Sequence, residues 1–203
     1  MKVVEIFRSI EGEGALIGQA TTFIRLFGCN MRCFWCDSAY SYEGEYKEIA
    51  IEAIAAKAAL LGGAVFSVTG GEPFIHSELG ALCDALLKLN KKVKIETNGT
   101  LWQEIDKRVY IVVSPKPPKY EICEPIAQRL NELKFVADDD LKIETLMREP
   151  FLSAYKRGAI ATLQLESNKS QSLKRALALQ NEALSSGGIF RVLPQLHKLL
   201  DLP

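Results

Sequence analysis

The sequence lacks two features that would point to large partners. No apolar stretch in its 203 residues is long enough to cross a membrane. Net charge is also absent, because 25 Lys and Arg residues balance 25 Asp and Glu residues. Without an excess of basic side chains there is no broad positive field to bind the phosphates of a nucleic acid. We therefore expect no membrane contact and no direct action on RNA or DNA.

The first ten residues carry charges where a signal peptide would need an apolar segment. Five cysteines, an odd number, fit a reducing compartment better than a disulfide framework. Both observations predict a cytoplasmic protein. The chain is 48% hydrophobic and shows no repeat, low-complexity segment or linker. We therefore expect a single domain over residues 1–203.

Three of the five cysteines, Cys29, Cys33 and Cys36, lie within eight residues at the spacing C-x3-C-x2-C. Thiolates are soft ligands that suit zinc or an iron–sulfur cluster. A structural zinc site uses four ligands and usually shows a second pair at similar spacing. This sequence has no second pair, so either a distant residue completes a zinc site or one metal position stays open. On a [4Fe–4S] cluster, an open iron can bind a small molecule.

With Trp35 just before the third cysteine, the cysteine segment resembles the radical SAM superfamily. The resemblance implies a [4Fe–4S] cluster whose open iron is chelated by the amino and carboxylate groups of S-adenosylmethionine. The reduced cluster then splits that molecule to give a 5′-deoxyadenosyl radical. The protein's task in such a site is to orient the cofactor and exclude side reactions.

Runs of β-branched and apolar residues predict the strands of the fold, at 2–7, 21–27, 64–68, 92–96, 109–113, 133–136, 159–165 and 188–193. Apolar residues at helical spacing predict helices over 49–61, 77–89, 139–148 and 169–185. This alternation implies parallel strands with right-handed crossovers. About six core strands are too few for a closed eight-stranded barrel. We therefore predict an α/β fold with a partial, open parallel β-barrel and helices outside.

Polar residues and glycines gather where the predicted strands end, in the segments TGGEP (69–73), ETNG (96–99) and SPKPP (114–118). In α/β proteins the carboxyl ends of strands are the face that binds ligands. The segment EGEG (11–14) follows the first strand and has two interpretations. It is a surface turn with solvated acids, which is preferred on its own, or a loop that holds a polar heterocycle.

Three further side chains are equally open to a structural interpretation. Arg25 in the second strand points to solvent at a sheet edge, or inward, where it would clamp a carboxylate in a bidentate fork. Ser38 caps a turn, or supplies one oxygen to Mg2+. Lys116 is a solvated loop lysine by default, and in a pocket it would meet a carboxylate.

Taken together, these segments resemble the 7-carboxy-7-deazaguanine synthase family, also called the QueE family, over nearly the whole chain. The shared features are EIF near the start, the EGEG loop, F-x-R before GCN-x-x-C-x-x-CDS, TGGEP, ETNG, SPKPP, NELK and the ending LPQLHKLLDLP. The cysteine motif is specific to a superfamily. The short N-terminal lead, CDS and the HK-x-x-x-x-P tail together are specific to this family.

The resemblance implies a role for each matching residue. The three cysteines bind the cluster, and Ser38 is the Mg2+ ligand, with substrate oxygens completing the shell. The residues beside S-adenosylmethionine are Trp35, Cys36, Asp37, Gly71, Glu96, Ser114, Pro115, Lys116 and Gln164. The residues of the pterin pocket are Ile10, Glu11, Gly12, Glu13, Arg25, Thr69, His197 and Pro203, the last through its carboxylate in a tail that closes over the pocket.

The implied reaction makes the enzyme a carbon–nitrogen lyase that converts 6-carboxy-5,6,7,8-tetrahydropterin to 7-carboxy-7-deazaguanine and ammonia. The radical takes a hydrogen from C6 of the pterin, the ring contracts, and S-adenosylmethionine is regenerated. The product feeds synthesis of 7-deazapurines, including the queuosine base of tRNA. An electron donor such as flavodoxin or ferredoxin and a homodimer are also implied.

The sequence departs from the family pattern at two positions. Glu11 stands where relatives more often have Gln, and a carboxylate lacks the donor of a carboxamide. Ser38 stands where many relatives have Thr, so the hydroxyl is kept. Two alternative functions remain open: a radical SAM activase that makes a glycyl radical on a partner protein, and a non-catalytic zinc-binding module.

Overall fold

The computed structural model describes all residues from Met1 to Pro203 and divides them into two compact units. Unit 1 comprises Met1–Ile10, Gln19–Thr97 and Leu101–Ile111. Unit 2 comprises the remaining ranges, Glu11–Gly18, Asn98–Thr100 and Val112–Pro203. The expected single domain over the whole chain stays a prediction.

Unit 1 contains five whole strands, which are β1 (Lys2–Ile10), β2 (Ala20–Leu26), β3 (Lys47–Glu48), β4 (Val65–Gly70) and β5 (Lys92–Thr97). Their order in the sheet is β3-β1-β2-β4-β5. β1 runs antiparallel to both β2 and β3, whereas β2, β4 and β5 are parallel. The parallel strands therefore end at one edge, and the cysteine segment begins directly after β2.

Unit 2 contains the second half of β6 (Tyr110–Val113) together with three whole strands, β7 (Glu132–Val136), β8 (Ile160–Gln164) and β9 (Arg191–Leu193). These strands lie side by side in chain order, and every neighbouring pair is parallel. Because β3 and β9 each have one neighbour, the sheet is open. The predicted α/β class with a mostly parallel, open sheet is confirmed. Eight of the nine strands overlap a predicted strand, and only the two-residue β3 was not predicted.

The helices of unit 1 are α1 (Tyr40–Glu43), α2 (Ile51–Leu61) and α3 (Leu79–Leu87). α3 presents Leu79, Leu82 and Leu86 to the interior, and all three are fully buried. Their spacing of three and four residues gives the apolar stripe expected of a helix that covers a sheet. This stripe packs α3 against α2 and β5.

The helices of unit 2 are α4 (Glu124–Arg129), α5 (Ile143–Leu146), α6 (Phe151–Lys156), α7 (Ser170–Ser185) and α8 (Leu196–Leu199). Phe135 and Phe151 meet edge to face in the core, with ring centroids 5.1 Å apart. The helix predicted over 139–148 is too long, because only Ile143–Leu146 is helical. Asp138 explains the shortening: its side chain accepts a hydrogen bond from the backbone of Leu141 and holds a turn. No helix is long and apolar enough to span a membrane.

Candidate active site

The cysteine segment forms a compact loop in unit 1, and all five cysteines of the chain are free thiols. The backbone N–H of Cys36 donates to the carbonyl of Cys33 at 3.1 Å. The N–H of Met31 points at the sulfur of Cys29 at 3.4 Å. Burial raises the pKa of the Cys29 thiol, and the nearby charges of Glu72, Cys33 and Cys36 act in the same direction. The three sulfurs thus lie near enough to one another to interact electrostatically.

The three thiols of the cysteine loop are the ligand type that an iron–sulfur cluster uses. No group of three or more His, Cys, Asp or Glu side chains is close enough to hold one metal ion. A zinc site brings four ligands to one point. In a [4Fe–4S] cluster each thiolate binds its own iron, so its ligands stand farther apart. Cys29, Cys33 and Cys36 are all free thiols on one loop, so each is available to bind an iron.

The two glycines of TGGEP bring the end of β4 against the start of the cysteine loop. A Cβ added at Gly71 would overlap the carbonyl oxygen of Gly28 and lie 2.9 Å from the Cβ of Cys29. Gly70 has a φ of +129°, and a Cβ there would overlap the backbone of Leu26. The sequence predicted that these glycines allow close approach, and in the structure the approaching group is backbone of the protein itself.

Glu72 and the Lys94–Glu96 pair give this strand edge its charge. Glu72 is fully buried, and its Oε1 accepts hydrogen bonds from the hydroxyl of Thr97 at 2.7 Å and the N–H of Phe74 at 3.0 Å. Lys94 is 1% exposed, and its Nζ donates to Glu96 Oε1 at 2.8 Å. Glu96, predicted beside S-adenosylmethionine, is therefore held by a buried cation on its own strand.

Arg25 points into a polar and aromatic cluster, not to solvent. β2 is an interior strand, and the Arg25 side chain is 16% exposed. Its Nε donates to Glu5 Oε1 at 2.7 Å, and its guanidinium lies 5.4 Å from the ring centre of Tyr40. Thr69, another predicted pocket residue, is the register partner of Arg25 on β4. The interpretation as a solvent-facing edge arginine is therefore wrong.

Of the remaining predicted residues of unit 1, Trp35, Asp37 and Ser38 lie on the cysteine loop, whereas Ile10 pairs with Ala20 at the opposite end of β2. Ser38 Oγ is 3.8 Å from Cys36 Sγ, and the Ser38 carbonyl accepts from Ser41. Trp35 is half-buried and meets Phe34 edge to face, whereas Asp37 is exposed. Ile10 is the last residue of β1.

The EGEG loop lies in unit 2 and is not a solvated turn. Glu11, Gly12 and Gly14 are buried, and Glu11 is 2% exposed. Glu132 anchors the loop, because both of its carboxylate oxygens accept from the N–H of Ala15 at 3.0 Å. The interpretation as a surface turn with solvated acids is therefore wrong. A buried loop with two carboxylates is suited to hold a polar ligand.

Glu13 makes two short contacts inside unit 2. Its Oε2 pairs with Nζ of Lys134 at 2.7 Å, and its Oε1 accepts from Nε2 of Gln195 at 2.6 Å. The Lys134 side chain is 5% exposed and that of Glu13 is 19% exposed. One carboxylate oxygen is thus held by a buried cation and the other by a buried amide.

His197 packs on the same loop although it follows Gly12 by 185 positions. A Cβ added at Gly12 would overlap the His197 ring, so the two residues are in direct contact. The N–H of Leu196 also donates to the carbonyl of Gly12 at 2.9 Å. The structure therefore brings together the two sequence-distant parts of the predicted pterin pocket. Pro203 is exposed, at the end of the same C-terminal segment.

Gln164 and the SPKPP segment complete the predicted residues of unit 2. Gln164 is 1% exposed, its Oε1 accepts from the N–H of Gly14 and its Nε2 donates to the carbonyl of Leu193. Lys116 donates to Ser114 Oγ at 2.8 Å, and both Ser114 and Pro115 are buried. Their predicted contacts with S-adenosylmethionine stay predictions.

Sequence reasoning assigned no role to four buried residues that support these loops, namely Lys94, Glu132, Lys134 and Gln195. A signal was present for three of them. Lys94, Glu132 and Lys134 are charged residues that stand beside apolar ones in strands with the sequences KVKIET and ELKFV. A charge in a buried strand requires a partner, but the sequence does not say which. Gln195 offered no such signal.

Comparison with known proteins agrees with these observations. The model of the radical SAM superfamily matches residues 23–129. A 7-carboxy-7-deazaguanine synthase of Aquifex aeolicus (strain VF5) is 38% identical over 203 residues, which cover 98% of this chain and 92% of that protein. The enzyme of that name from Bacillus subtilis (strain 168) is 33% identical and covers 98% of this chain and 95% of its own. The chain belongs to the 7-carboxy-7-deazaguanine synthase family.

Solved structures support the fold of this family member. QueE from Escherichia coli superposes with a TM-score of 0.77 at 23% identity, covering 94% of this chain and 92% of that one. SuiB of Streptococcus suis, a structure with bound S-adenosylmethionine, gives a TM-score of 0.53 at 15% identity, covering 85% of this chain and 46% of that one. Membership of the radical SAM superfamily implies a [4Fe–4S] cluster and S-adenosylmethionine as cofactors.

Proposed function

We propose that this chain converts 6-carboxy-5,6,7,8-tetrahydropterin to 7-carboxy-7-deazaguanine and ammonia by radical ring contraction. Relatives named 7-carboxy-7-deazaguanine synthase match it over nearly its whole length. The observation that carries the proposal is the contact of His197 with Gly12. A radical SAM activase needs neither the EGEG loop nor the C-terminal HK segment. Their contact therefore supports a pocket for a small molecule.

The cofactor site uses residues that the family resemblance assigned. Cys29, Cys33 and Cys36 hold the cluster, which with S-adenosylmethionine supplies a 5′-deoxyadenosyl radical when both are bound. The chain orients S-adenosylmethionine through Trp35, Cys36, Asp37, Gly71, Glu96, Ser114, Pro115, Lys116 and Gln164. Lys94 orients the Glu96 carboxylate for this role, because its Nζ donates to Glu96 Oε1 at 2.8 Å. Gly71 acts through its packing on Gly28, which fixes the start of the cysteine loop.

The substrate is recognised by groups complementary to a carboxylated pterin. Arg25 binds the substrate carboxylate, and Glu11 and Glu13 accept hydrogen bonds from the amino and ring N–H groups. The other pocket residues are Ile10, Gly12, Thr69, His197 and the carboxylate of Pro203. Arg25 already pairs with Glu5 through Nε. A bound carboxylate therefore uses the other edge of the guanidinium or displaces Glu5.

Ser38 is proposed as a Mg2+ ligand, and substrate oxygens complete the shell. A single protein hydroxyl suits a hard cation that keeps several waters. At this position Ser38 would hold Mg2+, which would supply Lewis-acid polarisation of the substrate carboxylate. Because the protein supplies only one ligand, we expect the affinity for Mg2+ to depend on the presence of substrate.

The partners and setting of the reaction are also part of the proposal. A one-electron donor such as flavodoxin or ferredoxin reduces the cluster, and the chain works as a homodimer in the cytoplasm. The product supplies the synthesis of 7-deazapurines such as the queuosine base of tRNA. Contact with tRNA itself is not expected, because the chain carries no net charge.

An anaerobic assay tests the function. The protein is reconstituted with iron and sulfide and incubated with dithionite, S-adenosylmethionine, Mg2+ and the carboxytetrahydropterin, and products are followed by mass spectrometry. We expect 7-carboxy-7-deazaguanine from the wild type and none from Cys33→Ala. Formation of 5′-deoxyadenosine without that product would favour the activase alternative. Zinc in place of iron, with no cleavage of S-adenosylmethionine, would favour the zinc module.

A further inference from the structure

We propose that Gln195 and Lys134 are positioning residues that fix the Glu13 carboxylate for recognition of substrate N–H donors. The inference rests on the proposed function and adds two residues that the family resemblance did not assign. Glu13 is the group that touches substrate, whereas Gln195 and Lys134 act through it. All three lie in unit 2.

The orientation of the Gln195 amide follows from its two partners. Its Oε1 accepts from the backbone N–H of Ser167 at 2.7 Å, which leaves Nε2 as the donor to Glu13 Oε1 at 2.6 Å. An N–H donor cannot face the amide nitrogen, so the backbone of Ser167 forbids the flipped amide. Gln195 is 6% exposed, so solvent does not compete well for either bond.

The backbone of Gln195 is held as firmly as its side chain. Its N–H donates to Oδ1 of Asn168 at 2.7 Å, and its carbonyl accepts from Nδ2 of Asn168 at 3.0 Å. Ser167 and Asn168 both adopt the left-handed conformation, with φ of 49° and 55°. Two consecutive non-glycine residues rarely adopt it without outside support. The turn after β8 and Gln195 therefore hold each other in place.

Lys134 supplies the charge that Gln195 cannot. Its Nζ lies 2.7 Å from Glu13 Oε2 on a side chain that is 5% exposed. The ammonium is thus a second donor to the carboxylate, on the oxygen that Gln195 does not bind. One donor on each oxygen fixes the plane of the carboxylate. The remaining lone pairs are left for N–H groups of a ligand, since an ionised carboxylate has about four acceptor positions.

The variant Gln195→Glu keeps the side-chain bond to Ser167 and removes the side-chain bond to Glu13. A carboxylate at position 195 still accepts from the Ser167 N–H, but it faces Glu13 with an oxygen where the amide offered a donor. Two like charges then share the site. We expect the Kd for the carboxytetrahydropterin, measured by anaerobic calorimetry on the reconstituted enzyme with S-adenosylmethionine and no reductant, to rise at least about tenfold. The Kd for S-adenosylmethionine stays within about twofold.

Two further variants distinguish positioning from general stability. Asn168→Asp loses the bond to the Gln195 carbonyl but leaves the Glu13 contacts intact, so we expect a lower melting temperature and a substrate Kd within about twofold of wild type. Lys134→Met removes the cation and raises the substrate Kd, and it serves if Gln195→Glu does not fold. In the double variant Glu13→Gln with Gln195→Glu the donor and acceptor exchange places. We expect the double variant to have a higher melting temperature than Gln195→Glu alone, but not to regain the wild-type affinity for substrate.

These experiments distinguish failure of the positioning role from failure of the proposed function. If the wild type neither binds nor converts the pterin, the proposed function fails and the inference fails with it. If the wild type is active and Gln195→Glu or Lys134→Met binds substrate as tightly as wild type, the positioning role alone is overturned. Equal losses of affinity in Asn168→Asp and Gln195→Glu would also overturn it, because the effect would then come from the turn.

Discussion

Two buried lysine–glutamate pairs, one in each unit, are nearly identical in geometry and differ in origin. Lys94 and Glu96 of unit 1 are 2.8 Å apart, with side chains 2% and 21% exposed. Lys134 and Glu13 of unit 2 are 2.7 Å apart, with side chains 5% and 19% exposed. The first pair spans 2 positions of the sequence and the second spans 121. Equal contacts thus arise from a local pattern in one case and from the tertiary fold in the other.

The difference shows how each loop is held. Residues two apart on a strand share a face, so Lys94 and Glu96 meet wherever β5 forms. Lys134 and Glu13 meet through the tertiary fold, in which Glu132 and Gln195 also bind the EGEG loop. The cysteine loop of unit 1, in contrast, packs on glycine backbone at Gly71. Backbone packing secures the proposed cofactor loop, and side-chain bonds secure the proposed substrate loop.

The largest effect is expected from a substitution that disrupts the backbone packing of unit 1. Gly71→Ala places a methyl group on the Gly28 carbonyl and must displace the cysteine loop. We expect bound iron after reconstitution to fall below about half and activity to fall at least 100-fold, a barrier increase of about 2.7 kcal/mol. Gly187→Ala is the control for backbone strain without steric overlap, because Gly187 has a φ of +79° but no atom lies within 4 Å of the added Cβ. Full iron content in Gly71→Ala would contradict the packing role.

The next largest effect is expected from a substitution that weakens the side-chain bonds to the EGEG loop in unit 2. Glu132→Gln turns one acceptor oxygen into a donor that faces the N–H of Ala15 inside a fully buried site. We expect a loss of about 2 kcal/mol in the free energy of unfolding, from one buried donor left unsatisfied. Urea denaturation of the apoprotein measures it. Iron content should stay at the wild-type level, and a loss of iron would mean that the loops are not supported independently.

A smaller effect concerns the ion pair between neighbouring strands of unit 1. Arg25→Lys keeps the charge but loses the planar fork, so we expect KM for the pterin to rise about tenfold. Glu5→Gln is the matched control, because it removes the resident partner of Arg25 and leaves the guanidinium intact. Its KM should equal or fall below that of the wild type. A steady-state assay that finds Arg25→Lys unchanged would remove Arg25 from the substrate site.

The smallest effect is a pH dependence beside the cysteine loop. Burial lowers the pKa of His76 below 6.5, against the opposing hydrogen bond to the Phe27 carbonyl. The unfolded chain binds this proton near pH 6.5, so neutral His76 contributes stability above that pH and loses it as the pH falls toward the folded pKa. We expect melting temperature to drop more steeply from pH 7 to 5 in wild type than in His76→Gln. Parallel curves would contradict this.

The sequence predicted the local features well. The cysteine loop, the strand ends at TGGEP and ETNG, and the α/β class depend on patterns a few residues long. The family resemblance supplied roles that no local pattern contains. The burial of Glu11 was not predicted. The partner of Glu13 and the bonds of Gln195 were not predicted either, because both depend on residues more than 25 positions away. The helix expected over 139–148 was shortened for a local reason, since Asp138 binds the backbone of Leu141.

The most direct test of the division between the two units is a pair of matched variants, Lys94→Met and Lys134→Met, each titrated with S-adenosylmethionine and with the carboxytetrahydropterin. Lys94 supports Glu96 in the proposed cofactor site, and Lys134 supports Glu13 in the proposed substrate site. We predict that Lys94→Met weakens S-adenosylmethionine about tenfold and that Lys134→Met weakens the pterin by a similar factor. Each should leave the other ligand within about twofold. Equal weakening of both ligands by both variants would contradict the account.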